Sequence, residues 1–174
     1  MSEPKLLLAF TCSERPRPKG SLTGRSPKGT THVQMRERVD PEGVFRSAVA
    51  REAWFVSRGV PAFVSHYSQL APLVERAGGP LYGQGVIVKT SMVFRFPRKP
   101  GHKLDAPCDV ITEKNRALAV GDVEKLVRNV HDALMDAGIL ADDHQVKGMT
   151  KLEKEFADED CMEVPGVDVE VWSA

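Results

Sequence analysis

The chain lacks an apolar run long enough to cross a bilayer. The longest, residues 6–10 of 174, is a fraction of the roughly 20 residues a spanning helix needs. Nor does a basic segment followed by an apolar signal core open the chain. A soluble, cytoplasmic protein with no membrane partner is expected. Cysteine is also sparse: Cys12, Cys108 and Cys161 are odd in number, widely spaced and without a C-x-x-C pair. This excludes a disulfide framework and gives no zinc pattern; buried or chemically indifferent thiols are expected. No internal repeat is present, and no small-molecule cofactor is expected. A 19.2 kDa chain with 41% hydrophobic residues can build one core and is too short for two ordinary domains, so residues 1–174 are read as a single domain.

Net charge is absent as well, and that absence conceals a split. Residues 1–104 hold 17 Lys or Arg against 7 Asp or Glu, and residues 105–174 hold 7 against 17. A basic half can neutralise phosphates and release counterions, while an acidic half can hold a hard divalent cation. Together they point to a polyanion processed with metal. The competing reading, that the halves simply face each other across the fold or a dimer contact, is equally weighted on composition alone.

Residues 5–12 (KLLLAFTC) read as a first strand. Residues 13–31 carry three prolines, three glycines and five basic residues, Arg15, Arg17, Lys19, Arg25 and Lys28. Such a composition opposes any continuous helix or ladder and predicts a basic surface loop. Asp40-Pro41-Glu42 predicts a helix start, with Asp40 as the cap. The helix should run to Arg58, with Val44, Phe45, Ala48, Val49 and Phe55 inward. Residues 63–77 predict another short helix, and residues 85–96 a strand of the main sheet. Residues 97–121 predict a long irregular loop, a feature more often functional than not.

The clearest helix follows: Val123, Leu126, Val127, Val130, Leu134 and Ala137 recur at helical spacing, Asp122 can cap the start and Gly138 fits the stop. Its other face carries Glu124, Lys125, Arg128, Asn129, His131, Asp132 and Asp136. A turn with Asp142 and Asp143 comes next, then strands at 145–156 and 167–172. The expectation is an α+β fold: a small single domain with a mixed β-sheet packed against two or three helices.

The stretch from Asp122 to Asp143 carries the chemistry. Positions two apart on a helix point about 200° apart, so Asp122 and Glu124 can converge only if Asp122 sits at the cap or on the extended chain before it. The turn brings in Asp142 and Asp143, giving up to four carboxylates for a hard cation, magnesium or manganese. One or two such ions activate water and stabilise the departing oxygen of a phosphodiester. Lys125 and Arg128 are neighbours on the polar face and can hold a scissile phosphate; pairing of Arg128 with Glu124 at i, i+4 is the favoured structural alternative.

The string D-V-E-K-L-V-R-x-x-x-D-A-L, followed by D-D-x-Q-V, resembles the signature of RusA-like crossover junction endodeoxyribonucleases. The similarity is tight over residues 121–156 and looser at the R-P-x-P-K-G loop (15–20) and at Phe94-Arg95-Phe96-Pro97. It implies a magnesium-dependent homodimer that resolves Holliday junctions by paired nicks, in DNA recombination and repair, often in a phage setting. It also implies a RusA-like fold, metal ligation by Asp122, Glu124 and Asp143 with Asp142 beside them, a catalytic basic role for Arg128, and Lys125 at a position that is Asn or Lys in the family. The basic loop (Arg15, Arg17, Lys19, Arg25, Lys28) and Lys154 would contact DNA. Two departures stand out: Glu124 replaces the family's second aspartate, and Lys154 is slipped one residue from the family lysine.

Other readings are weaker. His131-Asp132 spells the pair of HD phosphohydrolases, but lies on an amphipathic helix without a second histidine cluster, so a solvated face is expected. His32, His66, His102 and His144 show no ligand spacing; His144 would stand next to the acids as support. The acidic cluster at 157–163 reads as a solvated loop. From other functional classes, a catalytically weak or inactive branched-DNA-binding module and a partner-binding structural protein are the alternatives.

Overall fold

A computed structural model describes residues 3–17, 22–25, 34–37, 43–97, 123–157 and 164–174. Side chains are described in all of these except 22–25 and 34–37. The strands are β1 (Leu6–Cys12), β2 (Leu22–Arg25), β3 (Gln34–Glu37), β4 (Val88–Pro97), β5 (Val146–Ala157) and β6 (Gly166–Ser173). The α-helices are α1 (Val44–Arg58), α2 (Ala71–Arg76) and α3 (Val123–Asp136). The α+β class with a mixed sheet and three helices is as the sequence implies.

The main sheet has the order β1-β6-β4-β5. β6 pairs antiparallel with both β1 and β4, whereas β4 and β5 run parallel. Parallel neighbours need a long crossover, and α3 lies within it. Alternation sorts the strands into two faces. Leu8, Phe10 and Cys12 of β1, Val167, Val169 and Val171 of β6, Met92, Phe94 and Phe96 of β4 and Phe156 of β5 are buried. They form one core with Phe45, Val49 and Ala53 of α1 and with Leu126, Val130 and Leu134 of α3. Helices α1 and α3 pack on each other, and α1 on β1. On the other face Arg95 pairs with Glu155 at 2.8 Å and also donates to Asp168, so the charges there answer one another across strands.

Several expectations are corrected. The basic segment is not loop throughout: β2 pairs antiparallel with β3, Leu22 opposite Glu37 and Arg25 opposite Gln34. Pro16, Pro18 and Pro27 all fall outside those four residues, and a two-stranded ribbon tolerates charge because both faces can stay wet. Helix α1 begins at Val44 with Gly43 as its cap residue, not at Asp40, which lies outside the described residues. Phe55 is 46% exposed, while Ala53 and Trp54 are buried. Phe45, Val49 and Ala53 step by four residues along one stripe, and Phe55 falls off it. The helix expected over 63–77 is shorter: a 3-10 turn at Tyr67–Leu70 followed by α2, with Phe63 at 95% exposure.

The expected loop at 97–121, beyond Pro97, and the acidic cluster, beyond Ala157, lie outside the described residues, as do His32, His102, Cys108 and Cys161. Cys12 is buried, and that burial pushes its thiol up to about 11. Among the described residues no helix is long and apolar enough to cross a membrane.

Candidate functional site

The site is built on α3. Glu124, Arg128 and His131 recur at i, i+4 and i+7 and so share a stripe along the helix. That stripe borders an open cleft of about 530 Å³, lined also by Val123, Val127 and Asp132 of the helix, by Met149 and Leu152 of β5, and by Asp143 of the intervening turn. A helix stripe, a strand and a turn thus meet at one place, half charged and half apolar.

Of the residues singled out from sequence, Glu124, Arg128 and Asp143 converge on this cleft. Lys125 and Asp142 are not among its lining. Lys154 lies two positions beyond Leu152 on β5, opposite Phe94 where Leu152 is opposite Met92, so it shares the cleft-side face of the sheet. Arg15 is exposed and Arg17 half-buried. Asp122, Lys19 and Lys28 lie outside the described residues, and Arg25 is described only as backbone.

The turn is self-bonded. Asp142 caps the 3-10 turn Asp143–Gln145, its carboxylate accepting from the His144 backbone N–H at 2.9 Å and facing the His144 ring at 2.7 Å. These bonds hold the Asp142 carboxyl at about 2 and raise the His144 imidazole above its ordinary value. Donor atoms of Asp142, Asp143 and His144 all lie within 4.8 Å of one another; Asp143 is the one of the three that also borders the cleft. Carboxylate oxygens on a wet surface suit magnesium or manganese by donor type, and Glu124 of the helix and Asp143 of the turn both border the cleft.

Four residues of α3 do more than their place on its polar face implies. His131 is half-buried rather than solvated and bonds Thr90 Oγ1 of β4 at 3.1 Å. Burial lowers its pKa, against the opposing pull of Asp132 and Asp143. Asp132 and Asp136 are not simply solvated either: Arg46 of α1 reaches them at 3.3 and 2.5 Å. Asn129 is buried, and its Nδ2 donates to the Arg17 carbonyl at 2.9 Å, which roots the basic segment on the helix that bears the cleft. The only sequence signal for all four is their place on the polar face of an amphipathic helix.

No protein-family model matches the chain, and no curated protein matches it significantly.

Proposed function

We propose that this chain is a metal-dependent endodeoxyribonuclease that resolves branched DNA, such as four-way junctions, by paired nicks as a homodimer. The observation that carries the reading is the meeting of Glu124, Arg128 and Asp143 on one cleft, two carboxylates and a guanidinium drawn from positions up to 19 residues apart in the sequence. It is supported by the resemblance of 121–156 to RusA-like nucleases and by the charge split of the chain.

Glu124 and Asp143 would hold magnesium or manganese, with Asp122, which directly precedes α3 in sequence, as a third ligand and Asp142 beside them. A bound divalent ion supplies Lewis-acid polarisation of the phosphoryl group and a more acidic water. The remaining work falls to the chain's own groups. Arg128, exposed at the cleft, binds a non-bridging phosphate oxygen and offsets charge that grows in the transition state. Lys125 on the same helix adds positive charge nearby. Val127, Met149 and Leu152 form an apolar wall that limits water around the reacting phosphate.

Lys154 on the adjoining strand, and Arg15 and Arg17 at the root of the basic segment, give the flanking backbone somewhere to lie. Lys19, Arg25 and Lys28 extend that basic sequence. Arg25 belongs to the β2–β3 ribbon, a shape that a DNA groove admits. Phosphate contacts of this kind make binding fall steeply with salt.

The test is incubation of a labelled four-way junction and a matched linear duplex with Mg2+, alongside a gel shift without metal. Symmetric paired nicks in the junction, with the duplex spared, are the expected result. Tight junction binding with no cutting in either Mg2+ or Mn2+ would replace the enzyme with a branched-DNA-binding module.

A further inference from the structure

We infer that Gln145 is the positioning residue of the cleft, a buried clamp that fixes the Asp142–Asp143 turn, and hence the Asp143 carboxylate, against the segment leading into β4. The inference rests on the nuclease reading for what Asp143 does, and on hydrogen bonds alone for how it is held.

Gln145 is 2% exposed and uses both ends of its carboxamide. Its Oε1 accepts from the backbone N–H groups of Ala141 at 2.7 Å and Asp142 at 2.9 Å. Its Nε2 donates to the carbonyls of Gly83 at 2.7 Å, Val86 at 2.8 Å and Tyr82 at 3.3 Å. Apart from the Tyr82–Leu140 bridge and the Val86 N–H bond to Gly83 O at 3.0 Å, the 82–86 segment lies outside helix and ladder, and Gln145 shares its two Nε2 hydrogens among three of its carbonyls.

The same segment is stitched to the end of α3: Leu81 N–H donates to Gly138 O at 2.7 Å and Tyr82 N–H to Ile139 O at 3.0 Å. Tyr82 Oη in turn donates to the Leu7 carbonyl of β1 at 3.2 Å. The turn bearing Asp143 is therefore tied through Gln145 to a segment that is itself anchored to α3 and to the sheet. A ligand held by such a second layer keeps its direction; without it, the Asp143 carboxylate loses its fixed placement at the cleft that Glu124 also borders.

Near-isosteric replacements lose part of the arrangement. Glutamate would keep an acceptor for Ala141 and Asp142 but turn its second oxygen toward three carbonyls, and leucine would remove the side-chain partner of the Ala141 and Asp142 N–H groups and of the Val86 carbonyl.

The experiment compares wild type, Gln145→Ala, Gln145→Glu and, as a control, Val169→Ala, which opens a space in β6 away from the cleft. Mn2+ binding to the full chain is read by electron paramagnetic resonance, alongside thermal unfolding and hydrogen exchange of the Ala141 and Asp142 amides. Both Gln145 variants should weaken Mn2+ binding by about 10- to 100-fold and speed exchange at those two amides. Val169→Ala should lower the melting temperature while leaving Mn2+ binding within about twofold of wild type, since a site distant from the ligands couples little to them. Unchanged Mn2+ affinity in Gln145→Ala, or an equal loss in Val169→Ala, would overturn the positioning role. Absence of Mn2+ uptake by wild type would instead overturn the nuclease reading; the clamp is then decided by exchange, which faster rates at the two amides uphold and unchanged rates refute.

Discussion

His131 shows how a single side chain changes meaning once its surroundings are known. Burial against Thr90 lowers its pKa below the ordinary 6.5. A histidine lowered in the folded state contributes stability that is whole above the unfolded value and is lost as pH falls toward the folded value. Wild type should therefore lose stability as pH falls below about 6.5 through this residue, whereas His131→Gln should be flatter there. His144, raised by Asp142 and Asp143, acts with the opposite sign, so the difference between the wild-type and His131→Gln urea-unfolding curves isolates His131. Equal pH slopes in the two would contradict the burial effect. None of this was readable from sequence, because the partner, Thr90, stands 41 positions away. Asn129 and Gln145 were opaque for the same reason: their spacing suggested polarity, while their role depends on the carbonyls they meet.

Among the elements, those governed by local chemistry were the legible ones. α3 stops where expected because Gly138 takes a left-handed φ of 61°, a conformation costly for other residues. A Cβ there would also meet Val74 Cγ1 at 2.5 Å. Gly138→Ala should thus destabilise by about 2 kcal/mol or more, measured by urea unfolding. A cost below about 0.5 kcal/mol would show that the turn relaxes freely.

The start of α1 was misread because its limit is tertiary: a Cβ at Gly43 would come within 2.6 Å of the Tyr67 ring. Arg46, one turn further on, binds Asp136 through two nitrogens at 2.5 and 2.8 Å and lies over the Tyr67 ring at 3.9 Å. Although burial opposes its charge, these carboxylates raise its pKa. Arg46→Ala should cost about 2–3 kcal/mol by removing the two-nitrogen bond to the half-buried Asp136 and the contact with Asp132. Arg46→Lys should recover less than half of this, since an ammonium cannot fork across a carboxylate. Full recovery in lysine would reduce the contact to simple charge. The β2–β3 ribbon escaped the sequence reading because four residues are too few for alternation to register.

For the whole molecule, the division into a basic first part and an acidic second part was visible at once, and the structure gives it a physical centre. The acidic part supplies α3, β5 and the turn between them, which enclose the cleft. The basic part reaches that helix through the Asn129 bond to the Arg17 carbonyl. What composition could not choose between was mutual pairing of the halves and service to a common polyanion; Arg46 with Asp132 and Asp136 is an instance of the first, whereas the lining of the cleft comes wholly from the acidic part. The two differ in how cutting depends on one carboxylate.

The decisive measurement is the single-turnover rate of junction cleavage in Mg2+ for wild type, Asp143→Asn and Asp142→Asn. Asp143 borders the cleft, whereas Asp142 is occupied as a cap, a task asparagine also performs. Asp143→Asn should lower the rate by about 100-fold or more, and Asp142→Asn by less than about tenfold. Comparable cleavage by wild type and Asp143→Asn would contradict a nuclease site in this cleft.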